Sequence, residues 1–294
     1  MITAHPGLPE FDYIKPKSLV EASAFLALHT GEARPFMGGT DTFVRMRDGA
    51  WRDKYLVDVK GLPGLNDLTF DPAQGLTVGA AVNMNRLIAS PEVNEHYPAL
   101  AEAAHTVASY QLRTRATMAG NICNASPAGD TIGAGLVYNA TVRAHGVDGD
   151  RGEPLRAFFK GPGQTVLKSG DIVTAIEFPL PPHGSAGKYL KLGRNAIGDL
   201  AIVGVTACGY PDRTMSGYRF FVALASVAPT PFMPDMALLS EQAITPELID
   251  EAAEVAMNSV TPIDDVRGSA RYRKLMVRNL TRNALTDVWK RLAR

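Results

Sequence analysis

Apolar residues at Leu19, Ala22, Phe25, Leu26 and Leu28 recur at helical spacing, and the run stops at Gly31. Ser18 falls at the N-cap and Glu21 at the third helical position, so the spacing predicts a first helix opened by a capping box. Residues 34–37 then lead into Gly38-Gly39-Thr40-Asp41. Residues 55–59 and 76–82 read as strands, and residues 171–178 alternate at period two as a third. Residues 98–113 read as one helix, with Leu100, Ala104, Val107 and Ala108 facing inward.

Three prolines and a glycine crowd Pro179-Leu180-Pro181-Pro182-His183-Gly184 and break any regular element. The domain boundary is predicted there, giving units over residues 1–180 and 185–294. Residues 201–210 and 218–228 are β-like runs joined by a hairpin-like connection over 211–217. Thr245 as N-cap and Pro246 behind it open a helix. The last helix carries Leu275, Leu280, Leu285, Val288 and Leu292 on an apolar side. Its basic stretch, residues 267–282, reads as a solvated face or, more sharply, a docking surface. The expected fold class is α+β, with the smaller C-terminal unit a hairpin plus helices.

Composition narrows the function. The chain has 294 residues, 46% hydrophobic and 20% charged, enough apolar material for real cores. Lys+Arg and Asp+Glu are 30 each, so bulk electrostatics disfavour nucleic-acid binding. No apolar stretch is long enough for a membrane span. Met1-Ile2-Thr3-Ala4-His5-Pro6 lacks the basic and apolar regions of a secretory signal, which predicts a cytoplasmic protein. Cys123 and Cys208 are too few for a four-thiolate cluster or a disulfide framework, so a redox centre must be organic or belong to another subunit. The six histidines show no metal-binding spacing, and no nucleophile elbow of the G-x-S-x-G kind occurs. Cys123 has no neighbouring histidine to activate it. No metal site and no catalytic acid or base is predicted.

Three stretches carry chemistry. In Met37-Gly38-Gly39-Thr40-Asp41-Thr42 adjacent glycines let successive N–H groups point one way, a nest suited to phosphate oxygens; the plain alternative is a tight turn. In residues 117–130 (Thr117-Met118-Ala119-Gly120-Asn121, then Ser126 and Asp130) small and hydrogen-bonding residues alternate. That composition is expected to make a long loop around a polar ligand rather than core, with Asp130 able to accept from ribose hydroxyls; the alternative is an internally bonded loop. In residues 189–201 Lys191 sits in an apolar-flanked strand, either snorkelling or placed to stabilise an anionic reduced flavin.

These stretches, in this order and spacing, resemble the FAD-binding medium subunit of the molybdenum hydroxylases, the xanthine dehydrogenase and aerobic carbon monoxide dehydrogenase family. The resemblance covers essentially the whole chain. It implies an FAD-binding domain of the vanillyl-alcohol-oxidase type (PCMH) in two α+β lobes, followed by a C-terminal domain of the CO dehydrogenase flavoprotein type. Carried over, Pro35, Phe36, Met37, Gly38, Gly39, Thr40, Asp41 and Thr42 form the first pyrophosphate loop, and Thr117, Met118, Ala119, Gly120 and Asn121 the second. Asp130 faces the ribose and adenine end, Val173 and Lys191 lie toward the flavin, and Val107 and Ser126 complete the expected contacts. Two departures stand out. Ala119 replaces a usual glycine, and its methyl is expected to crowd the approach; Gly198 stands where a bulkier residue is common, which puts local rigidity in doubt. The implied role is an oxidoreductase subunit of a heterotrimer. It takes electrons from a 2Fe-2S small subunit, beside a molybdopterin-containing large subunit, in a dimer of heterotrimers, and passes them to an external acceptor. The rivals are a self-contained flavin oxidoreductase with its own pocket and a scaffold that has lost its cofactor.

Overall fold

The computed structural model describes residues 7–195, 197–212, 217–240 and 242–294. The N-terminal residues read for a signal, Ala196 of the third stretch and residues 213–216 of the hairpin connection lie outside the described residues.

The first lobe is a three-stranded parallel sheet, order β1-β3-β2, from β1 (Asp12–Ile14), β2 (Ala33–Phe36) and β3 (Tyr55–Asp58). Helix α1 (Leu19–Leu28) covers it, and the expected cap forms: Glu21 N donates to Ser18 Oγ at 3.1 Å. The reciprocal bond closes one residue early, with Lys17 N donating to Glu21 Oε2 at 2.7 Å. Ala22 and Leu26 pack with Val57, Val59, Leu62 and Leu65, whereas Leu28, counted in the apolar stripe, is 80% exposed. Helix α2 (Thr42–Arg47) follows the Gly38–Gly39 turn directly.

The second lobe is an antiparallel sheet, order β4-β5-β10-β6-β7. Its strands are β4 (Leu68–Asp71), β5 (Gly75–Gly79), β6 (Thr141–Gly146), β7 (Gly149–Pro154) and β10 (Ile172–Pro179). A two-stranded ribbon, β8 (Phe159–Gly161) and β9 (Gln164–Thr165), precedes β10. The run expected over 76–82 ends early because Gly79 abuts backbone: a Cβ there would lie 2.5 Å from the Leu65 carbonyl oxygen. Strand β10 bulges between Val173 and Ala175. Its apolar face packs on α3 (Met84–Ala89), α4 (Pro91–His96), α5 (Pro98–Thr106), α7 (Met118–Cys123), α8 (Ile132–Val137) and α9 (Leu155–Phe158) through a core that includes Leu76, Val78, Met84, Leu100, Ile122, Ile176 and Phe178, and the short α6 (Tyr110–Arg113) lies beside α3.

Two expectations fail here for identifiable reasons. The helix over 98–113 is broken: Ala108 takes a left-handed φ of +42°, Ser109 caps the next turn by accepting from Leu112 N, and Arg113 Nη1 donates to the Val107 carbonyl at 2.9 Å. The stretch 117–130 is not an open loop. Thr117 Oγ1 accepts from Gly120 N at 3.0 Å and starts α7, whose Met118, Ala119 and Ile122 are core residues.

The third sheet is antiparallel, order β11-β12-β13, from β11 (Ala186–Leu192), β12 (Val203–Asp212) and β13 (Gly217–Ala225). Helices α10 (Pro246–Asn258) and α11 (Ala270–Leu292) cover one face through Val205, Ala207, Val222, Leu224, Ala252, Val277, Leu285 and Val288. The other face meets α5 and α8, and Cys208 and Ala223 belong to the second lobe's core. Strand β12 is thus apolar on both faces, which is why its sequence runs rather than alternates. Among the described residues no helix is long and apolar enough to cross a membrane.

Candidate functional site

A cleft of about 740 Å³ lies where the two lobes and the C-terminal unit meet, within the size range of small-molecule sites. The two glycine-bearing turns come together in its wall. A Cβ on Gly38 would sit 2.4 Å from the Arg115 carbonyl oxygen, so only glycine lets the first turn approach the segment leading to Thr117. Gly39 takes φ +76° over the Phe36 ring, a conformation that glycine adopts without strain. Asn124 Nδ2 donates to Asp41 Oδ2 at 3.4 Å and links the two turns a second time. Among the described residues the backbone N–H groups of Gly38, Gly39, Thr40 and Asp41 donate to no protein acceptor. Such a row of free donors in one concave wall is an anion cradle.

Fifteen of the expected site residues line this cleft: Pro35, Met37, Gly38, Gly39, Thr40, Asp41, Thr42, Val107, Thr117, Ala119, Gly120, Asn121, Ser126, Asp130 and Val173. Three do not. Phe36 is buried behind the first turn with Met46 and Leu56, Met118 is core, and Lys191 stands behind Asp130. Ala119 lines the cleft and is at the same time packed in the second lobe's core, 4% exposed.

Asp130 and Lys191 were expected at opposite ends of a cofactor, and the structure puts them in contact. Lys191 Nζ donates to Asp130 Oδ2 at 2.9 Å and to the Thr106 carbonyl at 3.1 Å, while the Tyr189 hydroxyl donates to Asp130 Oδ1 at 2.6 Å. Burial raises the Asp130 carboxyl above its ordinary range, against the opposing pull of the Lys191 charge. Burial, then the Asp130 charge, pushes the Tyr189 phenol well up. The Lys191 ammonium is therefore committed to the protein. Gly198 has φ +77°, which accounts for glycine at that place. The loop around it is held by Asp199, whose carboxylate accepts from the backbone N–H groups of Arg194 (2.7 Å), Asn195 (3.2 Å) and Leu200 (2.9 Å), so the loop is not slack as the glycine alone implied. Cys123 also lines the cleft, and desolvation pushes its thiol up to about 12, far from a reactive thiolate.

Sequence reasoning missed two parts of the wall. One is the corner where Arg34 stacks on Trp51 at 3.7 Å and donates to Asp53 at 2.8 Å, with Arg45 beside it. The other is the turn Lys168-Ser169-Gly170-Asp171, pinned to α1 by Ser169 Oγ donating to the Leu26 carbonyl at 3.3 Å. Neither carries a motif. The one available signal was Gly170, whose φ of +89° lets the turn lie against Ser23 and Ala27.

Unpaired backbone donors in a cleft between two lobes of helix and strand suit the phosphates of a nucleotide cofactor. Comparison with known proteins sharpens this. Residues 9–181 match the FAD binding domain in molybdopterin dehydrogenase, and residues 188–288 match the CO dehydrogenase flavoprotein C-terminal domain. The carbon monoxide dehydrogenase medium chain of Hydrogenophaga pseudoflava is 31% identical over 288 residues, covering 97% of this chain and 99% of that one. The xanthine dehydrogenase FAD-binding subunit of Escherichia coli O157:H7 is 28% identical, covering 94% of each. A solved carbon monoxide dehydrogenase from Hydrogenophaga pseudoflava superimposes with a TM-score of 0.91 at 30% identity, over 96% of this chain and 98% of that one. The chain belongs to the FAD-binding medium subunits of the molybdenum hydroxylases. It is an oxidoreductase subunit, and its cofactor is FAD.

Proposed function

We propose that this chain carries one non-covalent FAD in the cleft and relays electrons from a 2Fe-2S small subunit to an external acceptor. A molybdopterin-containing large subunit would complete each heterotrimer, and the whole would assemble as a dimer of heterotrimers in the cytoplasm. The observation that carries the cofactor placement is the convergence of the two turns, with four N–H groups free of protein acceptors on residues that line one cleft. Pro35 to Thr42 and Thr117 to Asn121 would hold the diphosphate from two sides. Asp130 would offer its remaining lone pairs to a hydroxyl, with Lys191 and Tyr189 fixing its orientation. Val107, Ser126 and Val173 would bound the ends, while Phe36 and Met118 support the turns from behind. Bound FAD supplies chemistry that couples one-electron and two-electron transfer. The chain's own task is to bind, orient and exclude water. We also assign residues 1–180 and 185–294 to the two domains, divided at the proline-rich segment.

The relay is tested by co-expression and rapid mixing. The chain is expected to purify with one flavin and with an iron–sulfur and a molybdenum subunit. Its flavin is expected to be reduced by substrate only when both partners are present. Reduction of the isolated chain by the substrate of the complex would point instead to the self-contained enzyme.

A further inference from the structure

We propose that Arg45 is the cation of the diphosphate subsite; the assignment rests on the FAD reading above. Both phosphates of FAD are ionised, and backbone N–H groups offset only part of that charge, so a partly enclosed cleft calls for a cation. Among the described residues three cations line the cleft: Arg34, Arg45 and Lys168. Arg34 is bonded to Asp53 at 2.8 Å. Lys168 lies on the far turn with its side chain 71% exposed, 3.7 Å from Asp148. Lys191, the lysine the sequence pointed to, is bound to Asp130 at 2.9 Å and does not line the cleft.

Arg45 is left, and its position suits the role. It sits one turn into α2, which begins where the first glycine turn ends, and its N–H donates to the Asp41 carbonyl at 2.9 Å. Its guanidinium has no carboxylate partner among the described residues. The guanidinium stands 5.1 Å from the centroid of the Trp51 ring. The Arg45 carbonyl accepts from Ala50 N at 2.9 Å and Trp51 N at 3.2 Å, so the backbone fixes that aromatic platform relative to the arginine. A guanidinium suits phosphate by its planar donor fork, and the ring limits the conformations it must give up on binding.

The test titrates flavin-free full-length chain with FAD at stepped salt, comparing wild type, Arg45→Gln and Arg45→Lys. Arg45→Gln is expected to raise the FAD Kd by about tenfold or more at low salt, as for other charge-assisted hydrogen bonds, and to flatten its salt dependence. Arg45→Lys is expected to restore the salt dependence. The flavin-free melting midpoint is expected to hold in both variants. Wild-type Kd in Arg45→Gln, weaker binding with the wild-type salt slope, or a matching fall in the flavin-free midpoint would each overturn the assignment. A wild-type chain that takes up no FAD would refute the cofactor placement itself.

Discussion

At the level of single residues, the Asp130–Lys191 pair decides most. Both side chains are nearly buried, at 8% and 10% exposure, so each compensates a charge the other could not bear alone. Lys191→Met is expected to cost about 3–5 kcal/mol at pH 7, the usual range for breaking a buried pair. The sign with pH follows from the carboxyl. Burial already raises the folded value above that of the unfolded chain, and loss of the lysine raises it further. The penalty is then absent below the unfolded carboxyl value, grows as pH rises through the gap, and is full above the folded value. Urea titrations at pH 4 and pH 7 should show the smaller loss at pH 4; an equal loss would mean the pair contributes packing only. The second residue-scale test concerns the turns. Gly38→Ala drives a methyl into the Arg115 carbonyl and should abolish flavin retention. Gly120→Ala meets Thr117 Oγ1 at 3.0 Å rather than backbone and should lower retention less than Gly38→Ala does, as flavin absorbance per purified chain will report.

Among the elements, the break between α5 and α6 is the informative one. Ala108 holds a left-handed φ that costs a non-glycine residue about 1 kcal/mol. Ala108→Gly should therefore leave stability unchanged or raise it by up to about 1 kcal/mol. A continuous helix over 98–113 demands the reverse, a loss of about 1 kcal/mol, so one denaturation curve separates the two. Local signals were legible where they acted locally. The Ser18 cap and the Thr245 cap with Pro246 are contacts within three residues, whereas the Thr117 cap to Gly120, equally local, was hidden in a stretch whose small residues read as a loop. The glycine turns were legible because only glycine has those conformations or clearances. What escaped depends on distant partners. Lys191 reads as a free cation until the fold brings Asp130 against it, 61 residues away. Strands β4, β6 and β7 are short, polar on one face and fixed by pairing, and Ser109 competes with a helix whose apolar spacing is otherwise intact.

Across the whole molecule, the proline-rich segment separates two stretches of chain, each with a core of its own, that are joined by shared packing. Cys208 and Ala223 of the third sheet are packed in the second lobe's core, and β12 is buried on both faces. The cleft itself is built across the division. Ser226 N donates to the Pro127 carbonyl at 2.7 Å, and Tyr189 and Lys191 hold Asp130. Buried Arg273 in turn donates to the carbonyls of Ile202 (3.0 Å) and Ser226 (2.8 Å), so α11 braces the strand ends that reach the cleft. Residues 1–180 alone would expose the apolar face of α5 and α8 and leave the Asp130 carboxylate without its lysine. Such a fragment is expected to aggregate or to bind FAD far more weakly than the full chain. The full chain is expected to melt in one calorimetric transition, shifted upward as a whole by added FAD. Two transitions, of which FAD moves only the first, would mean that the C-terminal unit folds beside the cofactor site rather than forming part of it.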